Sequence, residues 1–241
     1  MKIQGKIRRG GADIQKAVLP RRVAGFSLIE MLVVIAVIGI LAAILLGALP
    51  AISDKKIRSK VRADLKNLVT AIEAYKEKHG FYPPDNPKNI AQPPLFYELV
   101  GTRVESNPDG SSARYLPLNG APELTQAQVK NNFDTDGFLN TAPEASEVKN
   151  FYTTAKTNLN YVVSPFASGG DPAIVLRVPA KGPRHPTVAA AEQLNTWRYI
   201  VAKPRRAPND RSPTNNPATY DLWAEVIIRG KTNVIGNWRE D

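Results

Sequence analysis

Gly25-Phe26-Ser27-Leu28-Ile29-Glu30-Met31-Leu32-Val33-Val34-Ile35-Ala36-Val37-Ile38-Gly39-Ile40-Leu41-Ala42 is the stretch whose reading decides the fold. The apolar run it opens continues through residue 52, and residues 31–52 hold no charge and no strongly polar group. As a helix, such a run is long enough to cross about 30 Å of hydrocarbon. It is too long for the core of a cleaved secretory signal, and no small-residue cleavage site follows it. Glu30 interrupts the pattern near its start. A carboxylate inside a bilayer costs a few kcal/mol, so Glu30 either snorkels to the interface or has a partner and a task.

The sequence before the run is basic. Lys2, Lys6, Lys16, Arg8, Arg9, Arg21 and Arg22 stand against Asp13, so residues 1–25 carry +6 of the chain's formal +10. A cationic block just ahead of a single apolar span orients it with the N-terminus in the cytoplasm and the C-terminus across the membrane. The charge therefore points to membrane orientation rather than nucleic acid.

Arg21-Arg22-Val23-Ala24-Gly25-Phe26-Ser27-Leu28-Ile29-Glu30 and the apolar residues after it resemble the cleavage and methylation motif of type IV prepilins and type II secretion pseudopilins. The resemblance is specific over residues 25–49 and persists to about residue 84. It implies a leader of residues 1–25 removed by a prepilin peptidase/methyltransferase, with the cut between Gly25 and Phe26 and N-methylation of Phe26. It further implies that Glu30 pairs with the N-terminal amine of a neighbouring subunit in a filament. A cation and a carboxylate in a low-dielectric bundle are each costly alone and less so together, which agrees with that role.

Beyond Ser53 the pattern becomes amphipathic. Ile57, Val61, Leu65, Leu68, Val69, Ile72 and Tyr75 fall in a stripe about 120° wide, with Lys56, Lys60, Asp64, Lys66, Glu73, Glu77 and Lys78 mostly off it. Gly80 is a C-cap and Pro83-Pro84 forbids continuation. Residues 26–79 are thus expected as one helix of roughly 80 Å. Pro50, Gly39 and Gly47 are either a softer segment or tolerated membrane residues. The basic start Lys55-Lys56-Ile57-Arg58-Ser59-Lys60 is read as a solvated face or a contact with a neighbouring subunit, in preference to lipid headgroups. His79 lies where the helix dipole favours its protonated form.

Eighteen of the 20 prolines follow residue 80, so the rest is expected to be loops and short strands. A short helix is expected at 95–100, and strands at 159–164, 173–178, 196–202, 220–228 and 232–238. Residues 204–217 are read as a mobile loop. In 220–228, Tyr220, Leu222, Ala224, Val226 and Ile228 alternate with Asp221, Trp223, Glu225 and Ile227, the period of a half-buried antiparallel strand. Arg229-Gly230-Lys231 is the hairpin turn. The fold class is α+β: a long N-terminal helix, transmembrane over 26–53 and amphipathic over 54–80, packed on a small antiparallel β-sheet domain over 81–241.

Tyr220-Asp221-Leu222-Trp223 and Ile235-Gly236-Asn237-Trp238 look like the C-terminal end of the G-type major pseudopilins. That family places acidic residues for calcium between these landmarks. Here the interval has only Asp221 and Glu225, then Lys231, too few carboxylates for the ion. Asn132, Asp134, Asp136, Gly137 and Asn140 match part of a calcium-loop pattern, but an ordinary Asp-Gly turn accounts for them better.

No cysteine is present, which excludes disulfides and Cys-ligated metals. Only His79 and His185 are available for a triad, and no phosphate loop, Gly-x-Ser-x-Gly elbow or HExxH pattern occurs. An enzyme is therefore not expected, nor a cofactor. The Arg205-Arg206 and Arg211 loop lacks the interleaved aromatics of a nucleic-acid binder. The expectation is a structural pseudopilin of a type II secretion system in the inner membrane. Its C-terminal domain is periplasmic, and its partners are other pseudopilins and the inner-membrane platform. The alternative is a type IV pilin for adhesion, motility or DNA uptake.

Overall fold

The computed structural model describes residues 25–107, 112–156, 160–164, 173–183, 194–203 and 212–238, with the side chains of 45–51 and 163–164 also outside the description. The chain divides into two compact units, Met1–Leu49 and Pro50–Asp241.

The first unit contributes the opening of α1, which runs over Leu28–His79 for 52 residues. Its apolar side chains are exposed on every side: Leu28 is 84% exposed, Ile35 65% and Ile44 65%. Val33, Val34, Ile35, Val37, Ile38 and Ile40 are β-branched, a weaker helix class than Leu or Ala. A helix apolar all round belongs in a protein core or a bilayer. Among the described residues no helix is long and apolar enough to cross a membrane. The expected span over 26–53 includes side chains 45–51, which lie outside those residues.

In the second unit, α1 buries the predicted stripe. Val61, Leu65, Leu68, Ile72 and Tyr75 are core residues, and Ile57 and Val69 are half-buried. Asp64, which the sequence placed with the polar face, is buried instead. Gly80 takes a positive φ of 81°, and its N–H donates to the Lys76 carbonyl at 2.7 Å, ending the helix as read from the sequence. The expected short helix is α2, Leu95–Val100, wholly buried.

Three small sheets share one hydrophobic core with the helix stripe. The first joins β1 (Thr102–Ser106), β2 (Ala113–Pro117), β3 (Leu124–Thr125) and β4 (Thr141–Ala142) in the order β3-β2-β1-β4. Helix α3, Gln126–Phe133, follows β3, its first turn closed by a reciprocal capping box of Thr125 and Gln128. Sequence reading found only turns in this region, because strands of two to five residues are too short to show a period. It also expected antiparallel pairing throughout, whereas β1 and β4 pair in parallel.

The second sheet pairs β5 (Tyr161–Ser164) with β6 (Ala173–Leu176). The third orders β7 (Arg198–Val201), β8 (Tyr220–Ile228) and β9 (Lys231–Gly236), all antiparallel. These elements match the strands expected from 159 onward, with ends shifted by one or two residues; residues 157–159 lie outside the described ones. Strand β8 buries Tyr220, Leu222, Ala224, Val226 and Ile228 as its alternation predicts. The β8–β9 turn is the two residues Arg229 and Gly230, at φ 51° and 73°. Both central residues of a type I′ turn need positive φ, which glycine supplies without steric cost. The loop read as mobile, 204–217, is described only from 212.

Candidate functional site

The residues expected for cleavage and pairing lie at the start of α1. Gly25, Phe26 and Ser27 precede the helix in non-regular backbone. Among the described residues beyond its chain neighbours, no atom lies within 4 Å of where a Gly25 side chain would project. Phe26 is 75% exposed. An accessible, irregular peptide is the form a protease can draw into its site.

Glu30 is already engaged. Its Oε2 accepts the Ser27 backbone N–H at 2.7 Å, and the Ser27 hydroxyl oxygen accepts the Glu30 N–H at 3.2 Å. Two donors that a helix start leaves unmatched are thus satisfied reciprocally. The carboxylate also lies at the positive end of the helix dipole. Sequence reasoning took Glu30 as an anomaly in an apolar run. The signal that would have found its cap was present in Ser27-Leu28-Ile29-Glu30, a Ser-x-x-Glu spacing ahead of an apolar stretch. A carboxylate accepts about four hydrogen bonds, so one Ser27 N–H leaves room for an ammonium.

Two buried carboxyls in the second unit were not anticipated. Asp64 Oδ2 accepts Trp197 Nε1–H at 3.0 Å, while Oδ1 accepts the Asn160 amide at 3.0 Å and the Tyr152 hydroxyl at 3.2 Å. Burial pushes the Asp64 carboxyl above the usual carboxylate range, partly offset by those donors and by Lys60. Glu98, on α2, is fully buried. It accepts the Tyr75 hydroxyl at 2.9 Å and the Leu139 and Asn140 N–H groups at 2.9 and 3.0 Å. Burial raises its carboxyl too, against the pull of the three donors. These groups fasten α1 and α2 to the loops around 139 and 152; each donor would be stranded in the core without them.

The other acidic residues singled out from the sequence do not converge. Asp134 caps α3 in the left-handed region and pairs with Lys88 at 3.2 Å; Asp136 pairs with Lys130 at 3.2 Å. The Asn140 amide donates to the carbonyls of Glu98 and Lys149, both at 2.8 Å. Asp221 is buried and takes the backbone N–H groups of Thr214, Asn215 and Asn216 at 2.8, 3.0 and 2.9 Å, pinning that loop. Glu225 pairs with Arg198 at 3.2 Å. Among the described residues no group of three or more His, Cys, Asp or Glu side chains could hold a metal. His79 lies among Tyr75, Phe81 and Phe151, at centroid distances of 4.4, 6.0 and 5.8 Å. Burial and neighbouring Lys78 lower its pKa. His185, Arg205, Arg206 and Arg211 lie outside the described residues.

Comparison with known proteins bears on the same segment. Residues 20–46 match the prokaryotic N-terminal methylation motif. The type IV major pilin protein PilE1 of Neisseria gonorrhoeae is 40% identical over 85 residues, 34% of this chain and 37% of that protein. The type II secretion system core protein G of Klebsiella michiganensis is 41% identical over 59 residues, 24% of this chain and 42% of its own length. The core protein G of Klebsiella pneumoniae is 38% identical over 97 residues, 40% of this chain and 68% of its length. The chain thus spans about two fifths of the first two relatives and two thirds of the third. No solved structure matches.

Proposed function

Because the chain belongs to the prepilin-like proteins that carry the N-terminal methylation motif, we propose that it is a structural, non-catalytic filament subunit, a pseudopilin of a type II secretion system. A prepilin peptidase/methyltransferase cuts between Gly25 and Phe26 and methylates the new amine. Residues 26–53 hold the subunit in the inner membrane before assembly, with residues 1–25 cytoplasmic and 81–241 periplasmic. Other pseudopilins and the inner-membrane secretion platform are its partners, and the filament drives folded proteins across the outer membrane.

The single observation that carries this reading is the junction at residue 25. An exposed Gly25-Phe26 peptide runs directly into a capped helix whose apolar side chains are uncovered on every side. Such a surface needs a lipid or a bundle of its own kind. Once the leader is removed, the Phe26 ammonium lies one residue from the Ser27–Glu30 cap. Glu30 then holds its own first turn and offers its remaining lone pairs to a neighbour's amine.

The similarity to a major pilin supports a second reading, a type IV pilin. The Tyr220-Asp221-Leu222 and Ile235-Gly236-Asn237-Trp238 landmarks favour the secretion branch. Mass spectrometry of the mature protein tests the shared premise: it should begin at methylated Phe26, and an intact leader in the presence of the peptidase sinks it. Deleting the gene and assaying secreted proteins and surface fibres separates the branches. Loss of export with fibres unchanged is expected; the reverse assigns the chain to the pilins.

A further inference from the structure

The turn between β8 and β9 is fastened to the stretch of α1 that follows the apolar run. The Arg229 guanidinium pairs with the Asp54 carboxylate, and Arg58 Nη2–H donates to Asn233 Oδ1 at 2.7 Å. Two segments 175 residues apart are thereby set side by side. Residues 54–60 carry Lys55, Lys56, Arg58 and Lys60 against Asp54, and residues 229–233 add Arg229 and Lys231. Six cations less one anion leave +5 on this surface. Lys55, Lys56, Lys60 and Lys231 are exposed; both arginines fasten the turn, Arg229 while remaining exposed itself.

We propose that this basic collar binds the headgroups of anionic phospholipids. The inference rests on the reading of residues 26–53 as a membrane span. Lys60 is eight residues past Ile52, so the helical part of the collar occupies about 12 Å of axis beyond the run, the depth of a headgroup layer and its immediate water. Lysine stems lie along apolar surface while their ammonium groups reach phosphate. The residue choice also favours lipid over a protein partner. Protein interfaces are depleted in lysine and enriched in arginine and aromatics, while four of the six cations here are lysines and both arginines are already engaged within the fold. Each lysine near an anionic surface contributes about five-fold in affinity, and the attraction fades beyond a Debye length.

The test uses the full chain in nanodiscs of phosphatidylcholine, with or without phosphatidylglycerol. A water-soluble acetylating reagent followed by peptide mass spectrometry reports each lysine's accessibility. Lys55, Lys56, Lys60 and Lys231 should react several-fold more slowly in the phosphatidylglycerol discs, with the protection lost at high salt. Lys149, exposed beside Phe151 at the other end of α1, should react alike in both. Lys231→Gln should weaken phosphatidylglycerol retention, measured by native mass spectrometry, about five-fold, as Lys56→Gln does, with Lys149→Gln unchanged. Equal reactivity in the two discs, no effect of Lys231→Gln, or an equal effect of Lys149→Gln overturns the collar. Protection that needs assembled filaments and ignores lipid assigns the surface to a neighbouring subunit and overturns it too. A chain that enters neither disc refutes the membrane span itself; one that enters both without lipid preference refutes the collar alone.

Discussion

Helix α1 is a single element with two different relations to its surroundings. Over residues 28–44 its apolar side chains are exposed on every side. Over residues 57–75 it buries one stripe and leaves the other face to lysines and glutamates. Propensity does not explain the difference: β-branched residues make the first half the weaker helix former, yet both halves are helical. What separates them is the breadth of the apolar face. A stripe can be covered by one domain, and here it is. A cylinder that is apolar all round exceeds what one domain can cover, so its partner has to be lipid or several other helices.

This contrast is open to attack by substitution, because the two halves should answer differently in the stability of the second unit. The largest effect is expected at Glu98. Glu98→Ala leaves the Tyr75 hydroxyl and the Leu139 and Asn140 N–H groups without their acceptor. It should destabilise by about 3 to 4 kcal/mol in urea unfolding. Leu68→Ala, which opens a cavity under the fully buried stripe, should cost about 3 kcal/mol. Small losses at both would mean that the stripe does not anchor the helix.

A pH titration sharpens the same point. Burial raises both Glu98 and Asp64, so the folded unit binds protons more tightly than the unfolded chain. Their contribution is complete below the ordinary carboxylate range and is lost as pH rises from there through the raised folded values. The double variant Asp64→Asn, Glu98→Gln should flatten that decline in urea midpoints measured across the window. A decline of unchanged slope would show that other groups set it. Gly230→Ala, forcing a side chain into positive φ, should cost about 1 kcal/mol. Smallest is Val37→Thr in the apolar half, expected within about 0.5 kcal/mol by the same measurement. A large effect there would end the distinction between the two halves. Glu30→Gln should likewise leave unfolding of the second unit unchanged while lowering filament incorporation, and normal assembly would remove the ion pair from the account of Glu30.

Much was legible in advance because it depends on local order. The capped exit at Gly80, the stripe from Ile57 to Tyr75, strand β8 and its turn each declare themselves within a few residues, through a period of 3.6 or 2 or a glycine at a positive φ. The first sheet was not legible: β3 and β4 are two residues each, a single period with no room for the alternation to repeat. Asp64 shows the complementary failure. A lone aspartate at the stripe's edge counts as polar, and only Trp197, Tyr152 and Asn160, arriving from 88 to 133 residues away, make its burial affordable.

The sequence by itself determined the apolar run, the amphipathic continuation and the order of the later strands, all of which follow from the pattern of neighbours along the chain; the methylation motif was legible as a resemblance. Only the tertiary structure decided where the acidic residues go: Glu30 into its own cap, Asp64 and Glu98 into the core, Asp221 onto the loop at 214–216, and Asp134 and Asp136 onto lysines. It also decided that Arg229 and Lys231 stand beside Lys55 to Lys60. A charged side chain accepts any suitable partner within a few ångströms, and which partners come that close is a property of the folded chain, not of spacing along it.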